Sequence, residues 1–256
     1  MRYHGIIVSN GGKVRTNNED NALLNGYFRK NDNEFQWSYE CKLSDGFMAS
    51  VFDGMGGEEH GEIASRIAAE QMSAINYKDF MENIEGIIIN INSTIASYAK
   101  GKNMGTTYAG VSVEEDFCYF SNVGDSRGYL FRDGNLMQIT KDHNMVQELL
   151  KRGVLTKEQA ERHPDRNALY QYLGIELDDE EIELETYVSE RVKLCSGDIC
   201  LLCSDGLTNM LEDEEIEQIL DEDNITLKEK ADCLIEGALE AGGRDNITVV
   251  LIETAE

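Results

Sequence analysis

The chain has 256 residues, 41% of them hydrophobic, with 23 Lys and Arg against 49 Asp and Glu for a formal charge of −26. That length and apolar content suffice for a packed core, while the charge repels nucleic acid and anionic membranes and argues against both as partners. It also repels a phosphate ester unless bound cations reverse the local potential, so phosphate chemistry on this chain implies metal.

In chain order, a first strand over Gly5 to Ser9 leads into a polar, glycine-containing loop from Asn10 to Asn21. Short alternating pieces at Ala22 to Asn25 and Phe35 to Tyr39 read as a hairpin, followed by an apolar strand beginning at Phe47. Ile63, Ala64, Ile67, Ala68, Met72 and Ile75 recur at helical spacing, and Phe80, Ile84, Ile87, Ile91, Ile95 and Tyr98 predict one longer amphipathic helix. Met104 to Val113, Phe117 to Asn122, Arg127 to Arg132 and Leu136 to Thr140 read as successive antiparallel strands, with Asp133-Gly134 as a hairpin turn. From Lys141 to about Tyr187 the elements are short: a helix around Val146, Leu149 and Leu150 stopped by Gly153, a Thr156/Gln159 capping box opening another that ends before Pro164, and the acidic run Glu176 to Glu185. This segment, 141–187, is expected to be a semi-independent flap. A buried strand from Asp198 to Cys203, helices at Asp213 to Leu220 and Thr226 to Ala241, and a closing strand from Ile247 complete the chain. With one proline, no linker and no repeat, residues 1–256 read as a single domain. The N-terminus lacks a signal peptide's apolar core and no run is long enough to span a bilayer, so a cytoplasmic protein is expected. Six scattered cysteines agree with that. Cys200 and Cys203 lie three apart on a strand, point to opposite faces and read as core thiols.

The stretch Phe47-Met-Ala-Ser-Val-Phe-Asp53-Gly54-Met55-Gly56-Gly57 delivers one carboxylate at a strand exit, into a turn without side chains. Asp-Gly after a strand is ordinarily just a turn. Here the same grammar recurs: Asp20 lies in the polar loop, Asp205 follows a strand and Asp245 precedes one, and Asp125 in Gly124-Asp125-Ser126-Arg127 is a fifth. Strand ends in a layered fold converge on one rim, where carboxylates repel one another unless cations neutralise them. Asp53 can bridge two hard cations while the bare carbonyl of Gly54 offers one more oxygen. All-oxygen ligation points to Mg²⁺ or Mn²⁺ and away from zinc, for which there is no His/Cys set.

Taken together, Arg15-x-x-Asn18-Glu19-Asp20, Asp53-Gly54-Met55-Gly56-Gly57, Gly105-Thr106-Thr107, Gly124-Asp125-Ser126-Arg127, Asp142-His143-Asn144, His163-Pro164-x-Arg166-Asn167, Ser204-Asp205-Gly206-Leu207 and Asp245-Asn246-Ile247-Thr248 resemble, in order, the bacterial branch of the metal-dependent type 2C serine/threonine protein phosphatases. The resemblance implies an α+β fold, a four-layer α-β-β-α sandwich of two antiparallel sheets flanked by helices. It implies hydrolysis of phosphoserine and phosphothreonine in proteins by direct attack of a metal-activated water on phosphorus. Asp53 would bridge two Mn²⁺ or Mg²⁺ ions, Gly54 would give its carbonyl to one, and Asp205 and Asp245 would hold the other. Asp20, with Glu19 nearby, would act partly through ordered water, and Asp125 with Asp205 would hold a third, weaker ion. Arg15 matches the arginine that grips the substrate phosphate with its planar fork. The partners implied are phosphoproteins made by a bacterial Ser/Thr kinase. Many eukaryotic relatives carry His where this chain has Met55, which donates no proton, so metal-bound water is the first candidate for the general acid. His143 and His163 read as structural. Two competing readings are a binding module that keeps the fold without turnover, against which all the metal aspartates stand, and a metal-dependent nuclease, against which the charge stands.

Overall fold

The computed structural model describes residues 1–56, 60–156, 159–160, 163–165, 168–177 and 183–255. Gly57, Arg166, Asn167, most of the helix expected before Pro164 and the centre of the acidic run lie outside them. The first half runs β1 (Arg2–Asn10), β2 (Asn21–Leu24), β3 (Tyr27–Phe28), β4 (Gln36–Leu43), β5 (Phe47–Phe52), β6 (Gly54–Gly56), α1 (Gly61–Ser73), α2 (Tyr77–Glu82), α3 (Ile84–Ala99), β7 (Met104–Thr106), β8 (Tyr108–Glu114) and β9 (Phe117–Val123). The second runs β10 (Arg127–Arg132), β11 (Asn135–Gln138), α4 (Met145–Lys151), β12 (Tyr187–Val188), β13 (Val192–Lys193), β14 (Ile199–Cys203), α5 (Asp205–Thr208), α6 (Asp213–Leu220), α7 (Leu227–Glu240) and β15 (Ile247–Ala255).

Two antiparallel sheets face each other. One has the order β11-β10-β14-β15-β1-β4; the other has the order β12-β9-β8-β5-β2-β3, with β13 also on β9. The period-2 alternation of each strand divides its apolar residues between two layers. On β15, Val250 and Ile252 enter the core between the sheets, where they meet Ile7, Ala49, Val111 and Leu202. Val249 and Leu251 face outward and are covered by Ile216 and Leu220 of α6 and Ala231, Leu234 and Ala238 of α7. The outer face of the second sheet, with Leu23, Met48, Phe52 and Tyr108, is covered by Ala64, Ala68 and Met72 of α1, Phe80 of α2 and Ile88, Ile91 and Ile95 of α3. The result is the four-layer α-β-β-α sandwich that the resemblance implies. Helix α7 begins with the Thr226/Glu229 capping box read from sequence. It ends at Gly242 and Gly243, whose φ of 138° and 53° only glycine adopts readily.

Four local expectations are corrected. The pieces at 22–25 and 35–39 do not form a hairpin with each other: β2 pairs with β3 and β5, whereas β4 crosses to the other sheet and pairs with β1 from Tyr3↔Leu43 to Asn10↔Gln36. That long ladder, which also carries Trp37 and Leu43 to the inter-sheet core, offers far more pairing than the short β2 could. The real hairpin turn is Asn25-Gly26, with both residues at positive φ. Next, β9 and β10 are not sheet neighbours, because the chain passes between sheets at Gly124, which has φ 102°. The run Met104 to Val113 breaks at Thr107 into β7, which pairs with β6, and β8. Finally, the helix expected over Phe80 to Tyr98 is two helices. Asn83 leaves the helical region at φ −150°, Asn76 caps the first helix, and Tyr98 is 57% exposed.

The described residues of segment 141–187 make several contacts with the body. Thr106 and Leu173 form a β-bridge, and the Asn92 side chain of α3 bonds Gly174 N–H, Ile175 N–H and Ile175 carbonyl at 2.7–2.9 Å. Leu173 is fully buried against the α1–α3 layer. At its start, Arg127 donates to both oxygens of buried Asp142 at 2.7–3.1 Å, and Gln138 adds a further bond to that carboxylate at 2.8 Å. His143 is buried, its Nδ1 accepting the Gly124 N–H at 3.3 Å, and Asn144 caps α4. Removing one member of such a buried pair leaves the other charge uncompensated. Asp142→Ala is therefore expected to cost about 3–5 kcal/mol in urea unfolding; a change below about 0.5 kcal/mol, typical of an exposed pair, would contradict this account of the junction.

Candidate metal centre and active site

Strand register brings the expected aspartates to one end of the sandwich. Phe52 lies opposite Asn21, so Asp53 at the exit of β5 adjoins Asp20 at the entry of β2. Cys203 lies opposite both Arg127 and Val249, so Asp205 adjoins the Asp125 turn and the start of β15, which Asp245 precedes. Asp53, Gly54, Asp125, Asp205 and Asp245 line one cavity of about 220 Å³, together with Arg15, Glu19, Met55, Thr107 and Leu169. Asp20 is fully buried and is not among its lining residues.

Each carboxylate is placed by main chain that something else holds. Asp53 N–H donates to Thr107 Oγ1 at 3.1 Å, and its carbonyl accepts the Thr107 N–H and Thr106 Oγ1, both at 2.9 Å. Thr107 Oγ1 in turn bonds Ser126 Oγ at 2.6 Å beside Asp125. A Cβ on Gly54 would come within 2.3 Å of the Gly61 carbonyl and 2.4 Å of the Glu19 carbonyl, so no other residue lets this turn pack so closely. Gly206 meets the same limit against the Asn246 carbonyl at 1.8 Å, which locks the Asp205 and Asp245 turns together. Asn246 accepts the Glu19 N–H at 2.7 Å and donates to the carbonyls of Gly11 and Asn17 at 3.0 and 2.8 Å. These threonines, Ser126 and Asn246 lay within the sequence blocks, but nothing in residue type alone marked them as the struts of the site.

The electrostatics are those of crowded acids. Burial, followed by the charges of Asp20, Asp205, Asp245 and Asp125, holds the Asp53 carboxyl well above the usual carboxylate range. Burial pushes Asp20 up to about 7 despite hydrogen bonds to its Oδ2 from Thr248 Oγ1 at 2.7 Å and Ser204 Oγ at 2.8 Å. Asp205 rises to about 6, through burial and then Asp245, while its Oδ2 accepts a hydrogen bond from Asn209 Nδ2 at 2.9 Å. Asp125 is raised too, by burial and then by Asp205. Glu19, whose carboxylate packs against Gly61 at the start of α1, is pushed to about 7 by burial and then by Glu62. The cation at the mouth, Arg15, donates to Asp245 Oδ2 at 2.6 Å and stays half exposed.

This donor set fits hard divalent cations. It is all oxygen, its acids repel one another, and the buried Asp20 Oδ1 has no hydrogen-bond partner, an acceptor that only an ion or ordered water would satisfy. Among the described residues no three His, Cys, Asp or Glu side chains close on a single point as around one ion. The acids instead rim the cavity, an arrangement that suits more than one ion with water completing the shells.

Comparison with known proteins agrees with this chemistry. The family model described as protein phosphatase 2C matches residues 30–231. The serine/threonine phosphatase stp of Listeria monocytogenes is 37% identical over 262 residues, covering 98% of this chain and 95% of that protein. The serine/threonine phosphatase of S. agalactiae superposes with a TM-score of 0.84 at 30% identity, over 98% of this chain and 99% of that one. The catalytic domain of the serine threonine protein phosphatase PstP, solved in complex with 2 manganese ions, superposes at 0.78 with 30% identity and full coverage of both chains. In fold, and in sequence over almost its whole length, the chain belongs to the protein phosphatase 2C family, within its bacterial serine/threonine branch.

Proposed function

We propose that this metal-dependent serine/threonine protein phosphatase hydrolyses phosphoserine and phosphothreonine esters in the acidic cavity, with residues 1–256 acting as one catalytic unit. The observation that carries the reading is the gathering of Asp53, Asp125, Asp205 and Asp245 around one cavity, above buried Asp20 with its unpartnered oxygen. Asp53, the Gly54 carbonyl, Asp205 and Asp245 would together hold a pair of divalent ions, with water completing their shells. Asp20 would act from below through ordered water, and Asp125 with Asp205 would take a third, weaker ion. Bound Mn²⁺ or Mg²⁺ neutralises phosphoryl charge and makes a nucleophile of water at neutral pH.

The protein's own part is positioning. Thr106 and Thr107 fix the Asp53 main chain, and the Asn246 and Gly206 contacts fix the turns across the cavity. Arg15 swings between Asp245 and the substrate phosphate, which its fork binds through two parallel hydrogen bonds. Met55 and Leu169 supply an apolar wall. No covalent phosphoenzyme is formed, so no Cys or Ser nucleophile is required; buried Cys200 and Cys203 are pushed further from the thiolate form by their surroundings. Among the described residues no helix is long and apolar enough to cross a membrane, and with the net charge of −26 this supports cytoplasmic substrates, the products of a bacterial Ser/Thr kinase. Hydrolysis of a phosphothreonine peptide is expected to require Mn²⁺ or Mg²⁺ and to stop on chelation. Absence of turnover at saturating Mn²⁺ would favour a binding module on the same fold.

A further inference from the structure

Arg29, just after β3, is 1% exposed and the bulkiest of the fully buried side chains. Its guanidinium hydrogen-bonds main-chain carbonyls: Nη2 donates to Asn18 and Asp20, and Nη1 to Glu34, all at 2.8 Å, while Nε is buried without a partner. Burying a cation whose hydrogen bonds go to carbonyls is costly, and a Met or Leu would fill the volume without that cost. What the cation gains is a hold on one segment. Residues 18–20 belong to no strand, so their carbonyls find no ladder partners. Arg29 takes those of Asn18 and Asp20, and Ser65 Oγ takes that of Glu19 at 2.6 Å. Holding carbonyls i and i+2 with one nitrogen fixes the intervening residue, so that Glu19 lines the cavity while Asp20 lies beneath it.

We propose that Arg29 is a positioning residue of the acidic cavity, a buried guanidinium that fixes the main chain of Asn18–Asp20 and so sets Glu19 and Asp20 in place for divalent ions. The inference rests on the reading of the cavity as a metal site. Arg29 lines no part of the cavity and touches no reacting atom, so its loss acts on metal affinity and leaves the chemistry at saturating metal intact. Partners that orient ligands in this way contribute about 10–100-fold in metal affinity.

The test is a Mn²⁺ titration followed by the electron paramagnetic resonance signal of free Mn²⁺, with wild type, Arg29→Met and Arg29→Lys, alongside the dependence of turnover on Mn²⁺. Arg29→Met is expected to bind Mn²⁺ about 10–100-fold more weakly, with kcat at saturating metal and KM for the peptide within about threefold of wild type. Arg29→Lys, which keeps the charge but not the fork, recovers part of the affinity. Circular dichroism establishes folding; if the Met variant does not fold, the Lys variant decides by itself, since intermediate weakening is expected of it. Wild-type Mn²⁺ affinity in either folded variant overturns the proposal, as does a fall in kcat with affinity unchanged. Asp205→Asn, run in parallel, separates the two readings: wild-type Mn²⁺ affinity there refutes the metal assignment itself, whatever the Arg29 variants show.

Discussion

Asp53→Asn is expected to lower kcat for a phosphothreonine peptide by roughly 10³-fold or more, since a carboxylate holding the ion pair, the role proposed for Asp53, would support several kcal/mol of charge stabilisation in the transition state. The fold should survive, because it is the main chain of Asp53 that bonds Thr106 and Thr107. In the absence of metal the variant should melt higher than wild type. Its carboxyl is held well above the usual range by burial and by the aspartates around it, so above the ordinary carboxylate range folding must either hold a disfavoured charge or take up a proton, a cost the neutral amide avoids. Peptide turnover at saturating Mn²⁺ and calorimetry of the metal-free protein check both halves. Near-normal turnover in Asp53→Asn would contradict the assignment of this carboxylate.

The second large effect is a coupling between pH and metal. In the native state Glu19 and Asp20 titrate at about 7 and Asp205 at about 6, against about 4 in an unfolded chain. Between those limits the native state binds more protons than the unfolded one, so the stability of the metal-free protein is highest below about pH 4 as far as these groups are concerned and falls as pH rises to 7. Divalent ions and protons compete for the same oxygens. Mn²⁺ at a hundred times its dissociation constant should therefore add about 2.7 kcal/mol, and at fixed Mn²⁺ the gain in melting temperature should be larger at pH 8 than at pH 5. Melting curves with chelator and with Mn²⁺ across that range check it. A gain that is independent of pH, or larger at pH 5, would mean that the acids of the cavity are not the ligands.

Much of this was legible in the sequence, and what was not has definite causes. Strands such as Arg127–Arg132 and the α7 cap could be read because their signals are local: alternation, a Thr226/Glu229 box, an Asp133-Gly134 turn. Sheet membership could not, because it is set by pairing between distant residues. β1 pairs with β15 as Ile6↔Leu251, and nothing in residues 35–43 announces that they leave β2 for β1. Asn25-Gly26 carries the local hairpin signal that separates β2 from β4. The break at Asn83 was hidden because isoleucines continue at helical spacing on both sides of it. In the site, the aspartates were visible as carboxylates at strand exits. Their supports were not: Asn246, Thr107 and Ser126 are ordinary polar residues until packing brings the turns together, and nothing in residue type marks Arg29 for burial.

The central claim is that acids distant in sequence hold divalent ions in one cavity, and anomalous scattering from a crystal soaked in Mn²⁺ tests it most directly. The account predicts two strong peaks in the cavity, one on each side of Asp53, with Asp205 and Asp245 on one of them and the Gly54 carbonyl on the other. A cavity without peaks, or Mn²⁺ bound only elsewhere on the acidic surface, would contradict it.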